Sequence, residues 1–306
     1  MAVSTYRRLK SATTCAVVAV LCSLVACQSS VGTTGKAVFY QPLNQDKQVD
    51  IAQWQQLLQA AAKDGYTTLV VQWTRHDDTD FVAQQTHLRN VLQAAQQANF
   101  RIWLGLNADS QYFQQMQQPL ALRQLYFRQQ LAKGLLQLRR LTTDMPVNAA
   151  HFAGWYLPAE LNDTDFMTAE QLTWLTQELK LFKHSVAQPV AISLFSNGGL
   201  PAADYINAMH SLSDSGIQLW LQDGAGAGLL TYSQRQALLS KLPCHFALIS
   251  ERFRQTDATA TPFQARRATN SELVSAQQAI KPCHADIAFS LRYLPFANTV
   301  LLPPGQ

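Results

Sequence analysis

Of the five glutamates in this 306-residue chain, two fall where carboxylates could work as a pair. Glu170, Glu178 and Glu272 lie in stretches with helical spacing and read as solvated helix surface. Glu160 and Glu251 each come just after a short apolar run, Phe152–Leu157 and His245–Ser250 respectively. Glycosidic-bond hydrolysis needs two such groups, one to protonate the leaving oxygen and one to attack the sugar or activate water. A separation of about 5–5.5 Å fits retention of configuration, and about 6.5–9.5 Å fits inversion. The competing reading is structural: both glutamates could form rim ion pairs with Arg75, Arg252 or Arg292.

A pair 91 residues apart in sequence meets only if the fold brings strand ends together. The chain supplies such a frame. Eight strand-like runs are read at Ala37–Tyr40, Thr67–Trp73, Phe100–Leu106, Phe152–Leu157, Pro189–Phe195, Ile217–Leu221, His245–Ser250 and Asp286–Leu291. Between them lie helical patterns at Ile51–Ala62 (with Asp50 as N-cap), Phe81–Ala98, Pro119–Leu141, Ala169–Ser185, Asp204–Leu212, Ser233–Lys241 and Glu272–Ile280. Continuous apolar strands such as Thr67–Trp73 suit a parallel sheet covered on both faces. Eight repeats of strand then helix predict an α/β fold, a single (β/α)8 barrel. An open doubly wound sheet would usually carry a glycine-rich first turn, but here that turn is Tyr40-Gln41-Pro42.

A barrel gathers function at the C-terminal ends of its strands. The candidate sugar contacts there are Gln72, Trp73, Asn107, Tyr156, Asn162, Asn197, Gln222, Asp223 and Arg292. Amides and carboxylates bond sugar hydroxyls, and aromatic rings cover sugar faces. The run Gly224–Gly228 lacks the G-x-G-x-x-G spacing and reads as a rim loop, not a phosphate cradle. Asp77, Asp78 and Asp80 lack the spacing of a calcium loop, the seven histidines form no zinc motif, and there is no G-x-S-x-G elbow. No metal or cofactor is expected.

The N-terminus reads as an address. Arg7, Arg8 and Lys10 precede the apolar run Ala16–Ala26, which is short for a membrane span. Residues 1–26 are therefore expected to be a signal peptide. Leu24-Val-Ala-Cys27 resembles a bacterial lipobox, which implies lipid on Cys27. Gln28 at the next position points to the outer membrane, facing the periplasm. Residues 27–36 would be a tether and 37–306 the barrel domain. Without those three cations, 21 Lys and Arg face 20 Asp and Glu, so no nucleic-acid footprint is expected. Cys244 and Cys283 remain after export and precede neighbouring strands, so they can pair, although two free thiols are also possible. Oligomeric state leaves no signature.

Several segments resemble a bacterial family described as domain of unknown function 4434, a group of glycoside-hydrolase-like barrels. They are Phe39-Tyr-Gln-Pro42, Leu69-Val-Val-Gln-Trp-Thr74, Gly154-Trp-Tyr-Leu-Pro-Ala-Glu160, Ser193-Leu-Phe-Ser-Asn-Gly198 and Leu219-Trp-Leu-Gln-Asp-Gly224. The resemblance implies a barrel with a rim site that includes Gln72, Trp73, Tyr156, Glu160, Asn197, Gln222 and Asp223. The placement of Glu160 and Glu251 also resembles the large clan of retaining glycosidases. That likeness implies Glu160 as acid/base after strand four and Glu251 as nucleophile after strand seven. Ala159 stands where that clan carries asparagine. Two functions therefore stay open: an envelope glycosidase acting on a polysaccharide, and a non-catalytic glycan-binding or polysaccharide-assembly lipoprotein.

Overall fold

A computed structural model describes residues 35–83, 86–257 and 263–302. The expected signal peptide and Cys27 lie outside these residues. Eight parallel strands close into a barrel. They are β1 (Lys36–Tyr40), β2 (Tyr66–Val71), β3 (Arg101–Gly105), β4 (Phe152–Asn162), β5 (Val190–Phe195), β6 (Gln218–Gln222), β7 (Ala247–Glu251) and β8 (Asp286–Phe289). Closure comes from β1 against β8, with Ala37 opposite Ile287 and Val38 opposite Ala288. Lys36 already pairs with Tyr66, so the barrel begins at the last residue assigned to the tether.

The apolar runs sort by alternation into two layers. Phe39, Val70, Trp103, Tyr156, Ala191, Trp220, Ile249 and Ile287 form one buried cluster inside the ring. Their neighbours Val38, Leu69, Leu104, Trp155, Ile192, Leu219, Leu248 and Ala288 belong to a second cluster shared with the helices. Aromatic rings plug the interior: Tyr156 stacks on Trp220 at 5.6 Å, and Trp103 meets the same indole edge-on at 5.1 Å. The ring is therefore filled, and chemistry must take place above this floor.

Among the described residues seven longer helices surround the barrel: α1 (Ile51–Lys63), α2 (His87–Gln97), α3 (Leu120–Thr143), α4 (Ala169–His184), α5 (Ala202–Ser213), α6 (Tyr232–Lys241) and α7 (Asn270–Gln277), and a five-residue helix, Tyr112–Met116, precedes α3. Four start on capping boxes that are visible in the sequence: Asp50/Gln53, Thr168/Gln171, Thr231/Gln234 and Thr269/Glu272. The eight-unit expectation needs one correction. After β8 come two 3-10 turns, Leu291–Tyr293 and Pro295–Ala297, where an eighth helix would stand. Pro295 lacks the N–H that would continue the first turn. An antiparallel ribbon, Phe253–Asp257 with Gln264–Arg267, also rises from the end of β7.

At the opposite end of the barrel Cys244 and Cys283 form a disulfide, with Cα atoms 5.5 Å apart and a sequence separation of 39. Both precede adjacent strands, so closure of the ring aligns them. On the chain-entropy account such a loop stabilises by about 3–4 kcal/mol. Reduction is therefore expected to lower Tm by roughly 5–15 °C in a thermal melt with and without reductant. An unchanged Tm would show that the bond does not constrain the unfolded chain.

Candidate functional site

Glu160 reaches the mouth through an irregularity in β4. Leu157 pairs with Ile192, but Glu160 pairs with Ser193, so Pro158 and Ala159 are extra. Alternation is kept, and Ala159 turns into the helix-side core. The slip sets Glu160 level with Ser193 instead of Phe195, about 6–7 Å nearer the floor. Beneath it the Tyr156 hydroxyl and Ser193 Oγ share a hydrogen bond of 2.8 Å. Across β5, Gln222 Nε2 on β6 donates to Glu160 Oε2 at 3.1 Å. Burial pushes the Glu160 carboxyl above the usual carboxylate range, against the pull of that amide. The Tyr156 phenol is also raised, by burial and then by the charge of Glu160.

Glu251 ends β7 and is only 3% exposed. Gly226 N and Ala227 N, from the glycine-rich loop after β6, both donate to its Oε2, the second at 3.1 Å. A Cβ on Gly226 would lie 2.9 Å from that oxygen and 2.8 Å from the Phe253 ring, so only glycine fits. Burial, then the charge of Asp223 and, more weakly, that of Glu160 push Glu251 up to about 8, while the two N–H groups oppose the shift. Two inward carboxyls thus share one electrostatic environment. Among the described residues neither has a cationic partner. Arg252 pairs with Asp286 and Arg292 with Asp46, so the ion-pair reading of the two glutamates does not hold.

The other candidates divide. Gln72, the residue after β2, is 6% exposed, and its Oε1 has no hydrogen-bond partner. The floor includes Tyr156, and the rim includes Gln222 and Asn197. Asn197 is exposed and donates through Nδ2 to Asn162 Oδ1 at 3.3 Å. Four candidates need correction. Asn162 spends its Oδ1 capping the turn at Thr164. Asn107 sits in a side sheet outside the barrel and donates to Gln130 on α3. Trp73 packs in the helix-side core, with its indole N–H on Pro42 O at 3.0 Å. Arg292, 1% exposed, donates to Asp46 Oδ2 and Gln41 O, both at 2.9 Å, and so pins the β1 loop to the β8 loop.

Asp223 also acts by support. It forms a buried ion pair with Arg235 on α6 at 2.9 Å. Its Oδ1 accepts from Ala225 N at 3.0 Å and Glu251 N at 3.3 Å. It fixes the loop that holds Glu251 and has no free face for sugar. Sequence reasoning missed Arg235, the two backbone donors, and Tyr112, a buried hydroxyl without a partner that feels the charge of Glu160. The only signal for the donors was the glycine run, and it was read correctly as a loop. Asp163, fully buried, organises the β5 loop through Asn197 N, Ser196 Oγ and Leu200 N.

Among the described residues, no cluster of three His, Cys, Asp or Glu side chains could hold a metal ion. A groove of about 490 Å³ lies outside the ring beside α3, bounded by Arg75, Asp109, Lys133 and Arg140. Its charges are mutually paired in part, Lys133 with Asp109 at 3.5 Å.

Comparison with known proteins agrees with this architecture. The chain is 33% identical over 279 residues to "Uncharacterized protein YbcH" of Escherichia coli K12, covering 87% of this chain and 92% of that one. A crystal structure from Bacteroides thetaiotaomicron, provisionally designated an α-L-fucosidase, superimposes with a TM-score of 0.60 at 13% identity. It covers 87% of this chain and 90% of that one, and at this identity the likeness is one of fold. The family model described as "Domain of unknown function (DUF4434)" matches residues 36–300, the whole barrel, and the chain belongs to that family.

Proposed function

We propose that the chain is a glycoside hydrolase that cleaves a polysaccharide of the bacterial cell envelope. It would be held at the outer membrane, facing the periplasm, by lipid on Cys27. The observation that carries the reading is the pair itself: Glu160 from β4 and Glu251 from β7, inward and without cations. Buried carboxylates with no counter-ion destabilise a fold, and such groups are kept where chemistry uses them. The α-L-fucosidase designation of a protein with this fold supports carbohydrate as the substrate class.

The hydrogen bonds suit two different roles. Two backbone N–H groups at Glu251 Oε2 favour its charged form and fix its plane. Gln222 Nε2 needs only a carbonyl-type acceptor, so a protonated Glu160 satisfies it as well as a charged one. The form that reacts has Glu160 protonated and Glu251 charged; burial and then Asp223 hold the proton on Glu251 up to about 8, so its ionisation limits the rate below that pH. Glu160 then delivers that proton to the glycosidic oxygen as the C1–O bond breaks. Glu251 takes the C1 position, and water, deprotonated by Glu160, later displaces it.

The test is a panel of envelope and secreted polysaccharides, assayed for new reducing ends. Glu160→Gln and Glu251→Gln are each expected to lower kcat by about 10²–10⁴-fold with little change in glycan binding. A wild type that cleaves nothing, or variants that cleave normally, would end the reading. Binding without turnover by all three proteins would instead establish the non-catalytic glycan-binding lipoprotein.

A further inference from the structure

We infer that the mouth is a cleft open at both ends, taking an internal stretch of a polysaccharide chain between two aromatic platforms. The inference rests on the hydrolase reading for its substrate class and adds where the chain lies. Two opposite arcs of the ring each present an exposed phenylalanine. On the β3–β5 arc, Phe113 is 50% exposed and its ring centre is 6.3 Å from that of Phe195, the last residue of β5. On the β7–β8 arc, Phe263 is 45% exposed and meets Phe253 edge-on at 5.6 Å. Phe253 is itself backed by Tyr293 at 5.6 Å and Phe289 at 6.1 Å. Glu160 lies on the strand at the centre of the first arc, and Glu251 ends the strand from which the ribbon of the second arc rises.

The backing rings matter because they fix the exposed ones. A rigid ring binds at low entropic cost, and the C–H face of a pyranose is the apolar surface that suits it. Polar groups beside the platforms also fit a glycan. Asn197 is exposed on the loop after Phe195, and the orphaned Gln72 Oε1 is a buried acceptor with nothing to bind. A sugar hydroxyl would satisfy it. An enzyme that trims chain ends needs one end of its site walled off. Here both arcs carry the same kind of platform, so sugars on either side of the scissile bond are gripped, and internal linkages are the ones presented to the carboxylates.

Two measurements decide it. The first follows solution viscosity against reducing ends while wild-type protein acts on soluble β-glucan, α-glucan and poly-N-acetylglucosamine. Early loss of viscosity and oligosaccharide products are expected on the polymer that is cleaved, whereas release of monosaccharide alone overturns the cleft. The second uses the Glu160→Gln variant and calorimetric binding of size ladders of the same glycans. Affinity should rise with chain length, and Phe113→Ala and Phe263→Ala should each weaken the longest ligands by about 5–20-fold while sparing disaccharides. Both rings are exposed, so circular dichroism should be unchanged. Length-independent binding, no binding on any ladder, or an effect of one ring alone overturns the inference. Length-dependent binding with no turnover by wild type sinks the hydrolase reading and leaves the cleft standing.

Discussion

Glu251→Gln is expected to make the protein more stable at alkaline pH than the wild type while removing the proposed glycosidase activity. In the fold Glu251 keeps its proton up to about 8, against an ordinary value of 4.5. Between those values the folded chain holds one more proton than the unfolded chain. Stability therefore falls as pH rises through that window, and the loss is complete above about 8. Glutamine is nearly the same shape, and its carbonyl oxygen can take both the Gly226 and Ala227 N–H groups. It carries no charge to bury, so it escapes the penalty. The gain should be on the order of 3 kcal/mol at pH 8.5 and close to zero at pH 4.5. That corresponds to a Tm roughly 5–10 °C higher than wild type at the upper pH only. Thermal melts of both proteins across pH 4.5–8.5 measure it. A constant Tm difference across the range would mean that the Glu251 carboxyl is not strained, and would remove the main physical reason for regarding it as functional.

The barrel was legible because its signals repeat and are local. Each strand is a short run that is apolar on alternate and intervening positions alike, and four helices open on Thr or Asp followed three residues later by Gln or Glu. The two carboxyls were legible through scarcity: with five glutamates in the chain, two at strand ends stand out. The misread residues share one trait. Asn107, Asn162, Trp73, Asp223 and Arg292 are polar or amphipathic groups at strand ends, as a sugar ligand would be. Their hydrogen bonds go instead to partners fixed only by tertiary closure. Arg292 finds Asp46 across 246 positions, and Asp223 finds Arg235 one helix later. Composition at a rim position says which groups are available there, not whether the protein itself already uses them. The cradle at Glu251 was hidden for a related reason. Its donors are backbone N–H groups of Gly226 and Ala227, which carry no side-chain identity to read.

Replacing Arg235 is expected to give the largest loss of stability and to disarm the site from a distance. Its Nη2 donates to Asp223 Oδ2 and to Ala276 O, each at 2.9 Å, and its Nε donates to Asp223 O at 2.7 Å. It therefore ties the end of β6, helix α6 and the end of α7 together. Arg235→Met fills similar volume but leaves Asp223 buried, with no cation and with its backbone carbonyl unpaired. Breaking one side of a buried pair costs about 3–5 kcal/mol, so Tm should fall by roughly 6–20 °C. Adding Asp223→Asn should recover part of that loss, because the neutral amide no longer needs a cation, although its oxygen can still accept from Ala225 and Glu251. The proposed activity should fall in the single variant below its melting temperature, since the loop that aims two N–H groups at Glu251 starts at Asp223. In the double variant stability should return further than activity does. Calorimetric melts and initial rates on the same four proteins give a thermodynamic cycle for the pair. A single variant as stable as wild type, or a double variant no better than the single, would show that Asp223 does not depend on Arg235, and would leave the position of Glu251 to the glycine loop alone.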